Sequence, residues 1–85
     1  MSWEVVWADR AREDLRRLDR QMAKRIVTAV LRLADAGQGN VKKLTGEGDE
    51  LRLRVGDWRV RFQFLHGTGT MEVLRVPHRS RAYRD

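Results

Sequence analysis

Residues 51–64 have the sequence LRLRVGDWRVRFQF, two alternating segments joined by Gly56-Asp57. Apolar residues alternate with arginines before the glycine, and with two arginines and a glutamine after the turn. This is the pattern of β-strands that have one apolar face. A two-residue turn with glycine in its first position is typical of a type II′ hairpin. The stretch therefore predicts a β-hairpin, and the rest of the fold is built outward from it.

The two-residue turn also fixes which residues of the hairpin lie opposite each other. The predicted pairs are Val55 with Trp58, Arg54 with Arg59, Leu53 with Val60 and Arg52 with Arg61. All four arginines then share one face, where each opposed pair destabilises the sheet by up to roughly 1 kcal/mol. Because guanidinium groups match the geometry of phosphate, this face predicts a polyanion site. The alternative is a solvated strand face without a ligand.

Composition supports a basic, single-domain protein. The chain has 85 residues, 18 of them basic and 12 acidic, for a net charge of +6. This length predicts one domain over residues 1–85. Residues 51–85 hold eight arginines and three acids, so most of the excess charge lies there.

There is no cysteine and only two distant histidines, so we expect no metal or other cofactor. No apolar run approaches the roughly 20 residues of a membrane span, and we expect a cytoplasmic protein.

The flanking sequence predicts two helices and two further strands. Trp3, Val5 and Trp7 alternate as in a short strand, and Asp9 is placed to cap a helix that begins after it. Apolar residues then recur at helical spacing up to Ala36, and Gly37 ends the pattern. One helix of that length, about 42 Å at 1.5 Å per residue, would exceed a domain of about 30 Å, so we expect a break near Asp19. Met71 to Val76 form another strand.

These elements give an α+β fold of order β-α-α-β-β-β. An antiparallel sheet is expected to carry a helical hairpin on its apolar face, which leaves the arginine face uncovered. Lys42 and Lys43 fall on the loop before the hairpin, either as phosphate contacts or as part of a solvated linker.

The tail after the last strand, Val76-Pro-His-Arg-Ser-Arg-Ala-Tyr-Arg, adds groups that can transfer protons. His78 can exchange a proton near neutral pH, and Tyr83 can stack on a base or donate a proton. Taken alone, His78 is better explained as a surface histidine and Tyr83 as an aromatic residue that closes the core. Next to an arginine face, the combination favours a site.

Three segments together resemble the RelE/ParE superfamily of bacterial toxin–antitoxin toxins. They are 51–62, LRLRVGDWRVRF; 41–46, VKKLTG; and 76–83, VPHRSRAY. The order of elements and the chain length are also similar to that superfamily, from Trp3 to Tyr83. The resemblance implies the RelE-like fold. In the RelE branch it implies an mRNA endonuclease of the ribosomal A site that acts without a metal, leaving a 2′,3′-cyclic phosphate and a 5′-hydroxyl.

The resemblance also implies roles for individual residues. Its catalytic set is Arg52, Arg54, Arg59, His78, Arg79 and Tyr83. The charge pattern of the chain adds Lys42, Lys43, Arg61 and Arg81 as candidate RNA-binding residues. The best-known RelE toxin has lysines where this chain has Arg52 and Arg54. Because a guanidinium is a poor proton acceptor, His78 is the candidate base and the arginines stabilise the charge that develops on phosphorus.

The resemblance implies partners as well. A cognate antitoxin would cover the basic face, the ribosome and mRNA would supply the substrate, and the toxin–antitoxin complex would bind DNA. Two alternatives remain open. A ParE-like toxin shares the fold but poisons DNA gyrase, and an inactive relative would bind RNA without cutting it.

Overall fold

The computed structural model describes residues 2–43 and 49–81, which form two helices and one five-stranded sheet. In chain order the elements are β1 (Glu4–Trp7), α1 (Asp9–Arg16), α2 (Arg20–Ala36), β2 (Asn40–Lys43), β3 (Leu51–Val55), β4 (Trp58–Leu65) and β5 (Thr70–Arg75). The strands lie in the order β1-β5-β4-β3-β2. The α+β class and the helical hairpin are therefore confirmed.

The sheet differs from the expected one in two respects. β1 pairs with β5 in parallel, so the sheet is mixed rather than fully antiparallel. Residues 40–43, expected in a loop, form strand β2 and pair with β3. This segment contains a single apolar residue, Val41, and becomes a strand because β3 offers an open edge to pair with. Lys42 and Lys43 are thus strand residues.

The hairpin has the predicted register. Val55 lies opposite Trp58, Leu53 opposite Val60, and the two arginine pairs fall where expected. Gly56 has a φ of +59°, and the first central residue of a type II′ turn requires a positive φ. This backbone conformation explains why glycine occupies the turn.

The helices break at Asp19, as the length argument predicts. Asp19 is the N-cap of α2, and its side chain accepts a hydrogen bond of 2.9 Å from the Met22 backbone N–H. Gly37 ends α2 in the left-handed conformation. The expectation that Asp9 caps α1 is wrong, because Ala8 is the N-cap and Asp9 lies in the first turn. There its negative charge still interacts favourably with the helix dipole.

The core lies between the helices and one face of the sheet. Its buried members come from α1, α2 and the apolar positions of β3, β4 and β5, and include Ile26, Val30, Leu53 and Phe62. Since both helices pack on this face, no helix of the described residues covers the arginines on the other. Within residues 2–43 and 49–81, neither helix has the length and apolar character needed to span a bilayer.

Candidate nucleic-acid interface

Two rows of polar side chains cross the uncovered face of the sheet. Strand pairing aligns Lys42, Arg52 and Arg61 in one row, and Asn40, Arg54 and Arg59 in the next. Residues paired in register project to the same face. The predicted convergence of arginines from two neighbouring strands is therefore present, and β2 extends it by one further cation.

Five of these residues line a small cavity, called here the basic cavity: Asn40, Lys42, Arg52, Arg54 and Arg59. Its volume is about 70 Å³, far below the roughly 300–1,000 Å³ typical of small-molecule sites. Among the residues that the structure describes, no carboxylate lines it. A site of this size and charge fits one phosphate group rather than a whole nucleotide.

Arg52 lies deepest in this cavity, since only 8% of its surface is exposed. Its neighbours in the row, Lys42 and Arg61, are both cations. Three cations side by side in one row give this part of the sheet a positive potential, which attracts an anion.

Arg59 is held in place by the hairpin turn. Its Nη1 donates hydrogen bonds to the carbonyl oxygens of Gly56, at 2.9 Å, and Trp58, at 3.0 Å. Its backbone N–H donates to the Pro77 carbonyl at 2.9 Å. A guanidinium already fixed in one orientation loses less conformational entropy when it binds a phosphate. Arg59 is therefore the best-positioned anion ligand of the cavity.

Arg61 shares the face but is engaged by Glu50. The guanidinium and the carboxylate form two hydrogen bonds, Nε to Oε2 at 2.7 Å and Nη2 to Oε1 at 3.2 Å. This is the fork geometry that guanidinium groups also use for phosphate. Glu50 thus competes with any phosphate for Arg61.

Lys43 is separated from the other predicted RNA-binding cations. It pairs with Leu51, a position of the apolar face, whereas Lys42 pairs with Arg52. Lys43 accordingly lines a different depression, with Phe64 and His66. Of the two lysines, only Lys42 belongs to the basic cavity.

The tail is joined to the end of the hairpin by backbone contacts. Trp58 and His78 form an isolated antiparallel bridge, and the Arg79 N–H donates to the Asp57 carbonyl at 2.7 Å. Because His78 is in register with Trp58, its ring lies on the helix side of the sheet, opposite the basic cavity. It lines a groove there with Trp58, Asp14, Arg17 and Arg81, which we call the tail groove.

The surroundings of His78 bear on its predicted role as base. The Ser80 backbone N–H donates to His78 Nδ1 at 3.3 Å, and the Ser80 hydroxyl lies 3.0 Å from the same atom. A neutral imidazole whose Nδ1 accepts a hydrogen bond carries its proton on Nε2. In this arrangement Nε2 is a donor. The assignment of His78 as proton acceptor stays a prediction.

The remaining tail residues are only partly described. Arg79 is exposed, and its Nε lies 3.8 Å from the Asp57 carboxylate, a weak ion pair at the turn. Arg81 is exposed in the tail groove. Tyr83 lies outside the described residues.

The structure therefore divides the predicted site in two. Lys42, Arg52, Arg54 and Arg59 meet in the basic cavity, with Arg61 beside it. His78 and Arg81 lie in the tail groove instead. Asn40 was not identified from the sequence. The polar–apolar–polar alternation of Asn40, Val41 and Lys42 was the signal that could have indicated strand β2. Three residues are too short a pattern to predict a strand.

Comparison with known proteins agrees with this fold. The toxin–antitoxin complex RelBE2 of Mycobacterium tuberculosis contains a chain that superposes with a TM-score of 0.82 at 24% identity, covering 94% of each chain. In the archaeal RelE–RelB complex of Pyrococcus horikoshii the TM-score is 0.78 at 25% identity, covering 96% of this chain and 100% of that one. For the isolated RelE toxin of E. coli it is 0.78 at 15% identity, covering 96% and 89%.

The fold is thus that of the RelE-type toxins. Residues 5–83 match the sequence model of the ParE toxin of the type II toxin–antitoxin system parDE. The chain belongs to this ParE toxin family and, with its RelE-like fold, to the RelE/ParE superfamily of type II toxin–antitoxin toxins. No curated protein matches it significantly in sequence.

Proposed function

We propose that this toxin is a ribosome-dependent endoribonuclease that binds the scissile phosphate of mRNA in the basic cavity. The observation that supports this most is the convergence of Arg52, Arg54 and Arg59 around a space the size of one phosphate. Solvated strand faces do not need opposed arginines, and these cost stability. The cavity therefore serves binding rather than folding.

The proposed reaction uses the substrate's own nucleophile. His78 takes the proton of the 2′-hydroxyl, whose oxygen attacks the adjacent phosphorus while the bond from phosphorus to O5′ breaks. The leaving O5′ takes up a proton, which gives a 2′,3′-cyclic phosphate and a 5′-hydroxyl. Arg52, Arg54 and Arg59 stabilise the negative charge on the non-bridging oxygens in the transition state. The reaction needs no metal, because alignment and charge stabilisation supply most of the acceleration.

His78 remains the proposed proton-transfer residue, with Arg79 and Tyr83 completing the site. Positioned acid–base groups contribute about 10²–10⁴ in rate. When Nδ1 donates to the Ser80 hydroxyl, 3.0 Å away, Nε2 accepts the proton of the 2′-hydroxyl, and the imidazolium that forms returns a proton to the leaving O5′. For His78 to reach a phosphate in the basic cavity, the RNA or the tail must pass the end of the hairpin, since the two sites lie on opposite faces.

The proposal includes a cognate antitoxin. Several of the similar structures are RelE toxins in complex with RelB antitoxins. By this likeness, an antitoxin would cover the arginine face and neutralise its charge, and the complex would bind DNA. The free toxin would act on ribosomes in the cytoplasm.

The decisive experiment adds purified protein to ribosomes translating a defined mRNA and maps cuts by primer extension. We expect cleavage by the wild type and a loss of at least about 10²-fold for Arg59→Ala, the range found when one donor to a developing oxyanion is removed. Arg12→Ala is the matched control, because Arg12 is exposed on α1 away from the cavity. The melting temperature of each variant shows that the fold is kept. Uncut mRNA at every wild-type concentration refutes the nuclease proposal.

A second candidate function is inhibition of DNA gyrase. It is favoured by the match to the ParE family and by the separation of His78 from the basic cavity, since gyrase poisoning needs no proton transfer. Trapped gyrase–DNA cleavage complexes, with mRNA left intact, would identify this function. RNA binding that is strongly salt-dependent but gives no product, with gyrase unaffected, would identify an inactive RNA-binding relative.

A further inference from the structure

The tail groove contains an aromatic corner formed by His78, the proposed proton-transfer residue, and Trp58, which the proposed cleavage chemistry does not use. The rings of Trp58 and His78 lie nearly perpendicular, at 88°, with centroids 5.2 Å apart. Both side chains are partly exposed, and both line the groove. In such an edge-to-face pair the edge of one ring covers one face of the other, and the exposed outer part of the pair can stack on a flat ring such as a nucleobase.

Two guanidinium groups flank this corner. Arg17, at the end of α1, and Arg81, in the tail, both line the groove and are exposed. Within residues 2–43 and 49–81, no carboxylate lies within ion-pair distance of either side chain. Both are therefore available to an anion.

The one carboxylate that the described residues contribute to the groove is already engaged. Asp14 accepts hydrogen bonds at Oδ2 from Arg75 Nε, at 2.9 Å, and from the Val76 backbone N–H, at 2.8 Å. Its charge is largely compensated by these contacts, and 12% of its side chain is exposed. The groove consequently attracts anions rather than cations.

The size of the groove distinguishes it from the basic cavity. Its volume is about 560 Å³, within the range of roughly 300–1,000 Å³ usual for small-molecule sites. We propose that the tail groove binds one nucleotide of an RNA chain, with the base against Trp58 and His78 and the phosphate between Arg17 and Arg81. Aromatic stacking contributes to base binding without strong sequence preference, so the groove would accept different bases.

This inference rests on the proposed function, because the bound nucleotide is taken to belong to the mRNA substrate. The tail groove itself is a separate site from the basic cavity. Trp58 and Arg59 are consecutive on β4 and project to opposite faces. The exposed Asp57, in the turn that precedes Trp58, repels a phosphate backbone at the end of the hairpin. An RNA chain would therefore contact the toxin at two separate points, a phosphate in the basic cavity and a nucleotide in the tail groove.

The test is an NMR titration of the ¹⁵N-labelled full chain with 5′-AMP, with adenosine and with a ten-residue oligoadenylate as probes. The chain has three tryptophans, and Trp58→Phe assigns the indole N–H signal of Trp58. We expect AMP to shift that signal, adenosine to bind about tenfold more weakly, and the oligonucleotide to bind more tightly than AMP. If AMP binds but the oligonucleotide binds no better, the site takes free nucleotides and the RNA assignment is wrong.

The matched variants are Arg17→Ala/Arg81→Ala and Arg12→Ala/Arg16→Ala, which remove the same charge from exposed positions. The first pair should weaken AMP binding at least about tenfold, and the second should leave it nearly unchanged. An unshifted Trp58 signal at millimolar AMP, or equal affinity in both double variants, overturns the inference. Its failure is distinguishable from that of the proposed function, because mRNA cleavage is measured separately: cut mRNA with an unresponsive Trp58 refutes only the groove.

Discussion

Arg54 and Arg59 lie directly opposite each other across β3 and β4, one row from the equally opposed Arg52 and Arg61. Each pair places two guanidinium groups at the closest lateral spacing that a sheet allows, so each destabilises the unliganded fold. Glu50 relieves the repulsion at Arg61. The Arg54–Arg59 pair lines the basic cavity, where a bound phosphate would relieve it.

Replacing one member of this pair should therefore stabilise the free protein. Arg54 is exposed, so Arg54→Thr leaves no buried void and places a good strand former on β3. We expect a gain of up to about 1 kcal/mol, equivalent to a rise of about 4–8 °C in the melting temperature of a domain this size. Thermal unfolding of both proteins at low salt measures the difference in melting temperature. Added salt should stabilise the wild type more than the variant, because it screens the repulsion. A variant that melts below the wild type contradicts the repulsion argument.

The contact of Asp14 with Arg75 and Val76 predicts a large stability effect. Asp14 lies on α1 and accepts from the end of β5, so it joins the helix to the strand that precedes the tail. Asp14→Ala removes the acceptor of the Val76 N–H in a largely buried position, and we expect a loss of about 1–3 kcal/mol. Chemical denaturation measures the change in the free energy of unfolding.

The ion pair of Asp57 with Arg79 provides the comparison. Its two side chains are 67% and 63% exposed and 3.8 Å apart. Asp57→Asn keeps a residue suited to the turn, and we expect a change within about 0.5 kcal/mol. Equal losses in the two variants would show that Asp14 has no special role in fastening β5 to α1.

The cap at Asp19 predicts a smaller effect, confined to α2. Asp19→Ala removes the acceptor of the Met22 N–H and should cost about 0.5–2 kcal/mol. Asp19→Asn retains a side-chain oxygen at the same place and should cost much less. Circular dichroism during denaturant unfolding compares the three proteins. If the asparagine and alanine variants are equally destabilised, charge rather than capping accounts for the effect.

The hairpin was predictable because alternation and a two-residue turn determine register locally. Once Val55 and Trp58 are paired, Arg54 must lie opposite Arg59. The break at Asp19 was predictable for a different reason: a single helix would have been longer than the domain. Both arguments use only residues that are close in sequence or the total chain length.

Contacts between distant segments could not be predicted in this way. Alternation in β1 shows which of its faces is apolar but not that it lies parallel to β5. The tail after Pro77 has no alternating pattern, and the pairing of His78 with Trp58 alone places its ring on the helix side. The candidate site is thus predictable for the hairpin arginines and unpredictable for the tail.

The pairing of Glu50 with Arg61 predicts a variant that binds RNA more tightly. Glu50→Gln keeps the shape of the side chain but removes the charge that engages Arg61. The fork-shaped pairing with Glu50 then no longer competes with a second phosphate at Arg61, in the row of Lys42 and Arg52. For a single strand, one further phosphate contact should steepen the salt dependence of the binding constant by about 0.7 in the slope of log K against log salt.

The measurement is fluorescence anisotropy of a labelled RNA over a series of salt concentrations. Glu13→Gln removes the same charge from an exposed position on α1 and controls for the change in net charge. We expect both variants to bind somewhat more tightly at low salt, because both add to the positive field. Only Glu50→Gln should steepen the slope, since only there does a guanidinium lose its competing carboxylate. Parallel slopes for the two variants would mean that Arg61 does not contact RNA even when Glu50 is neutral.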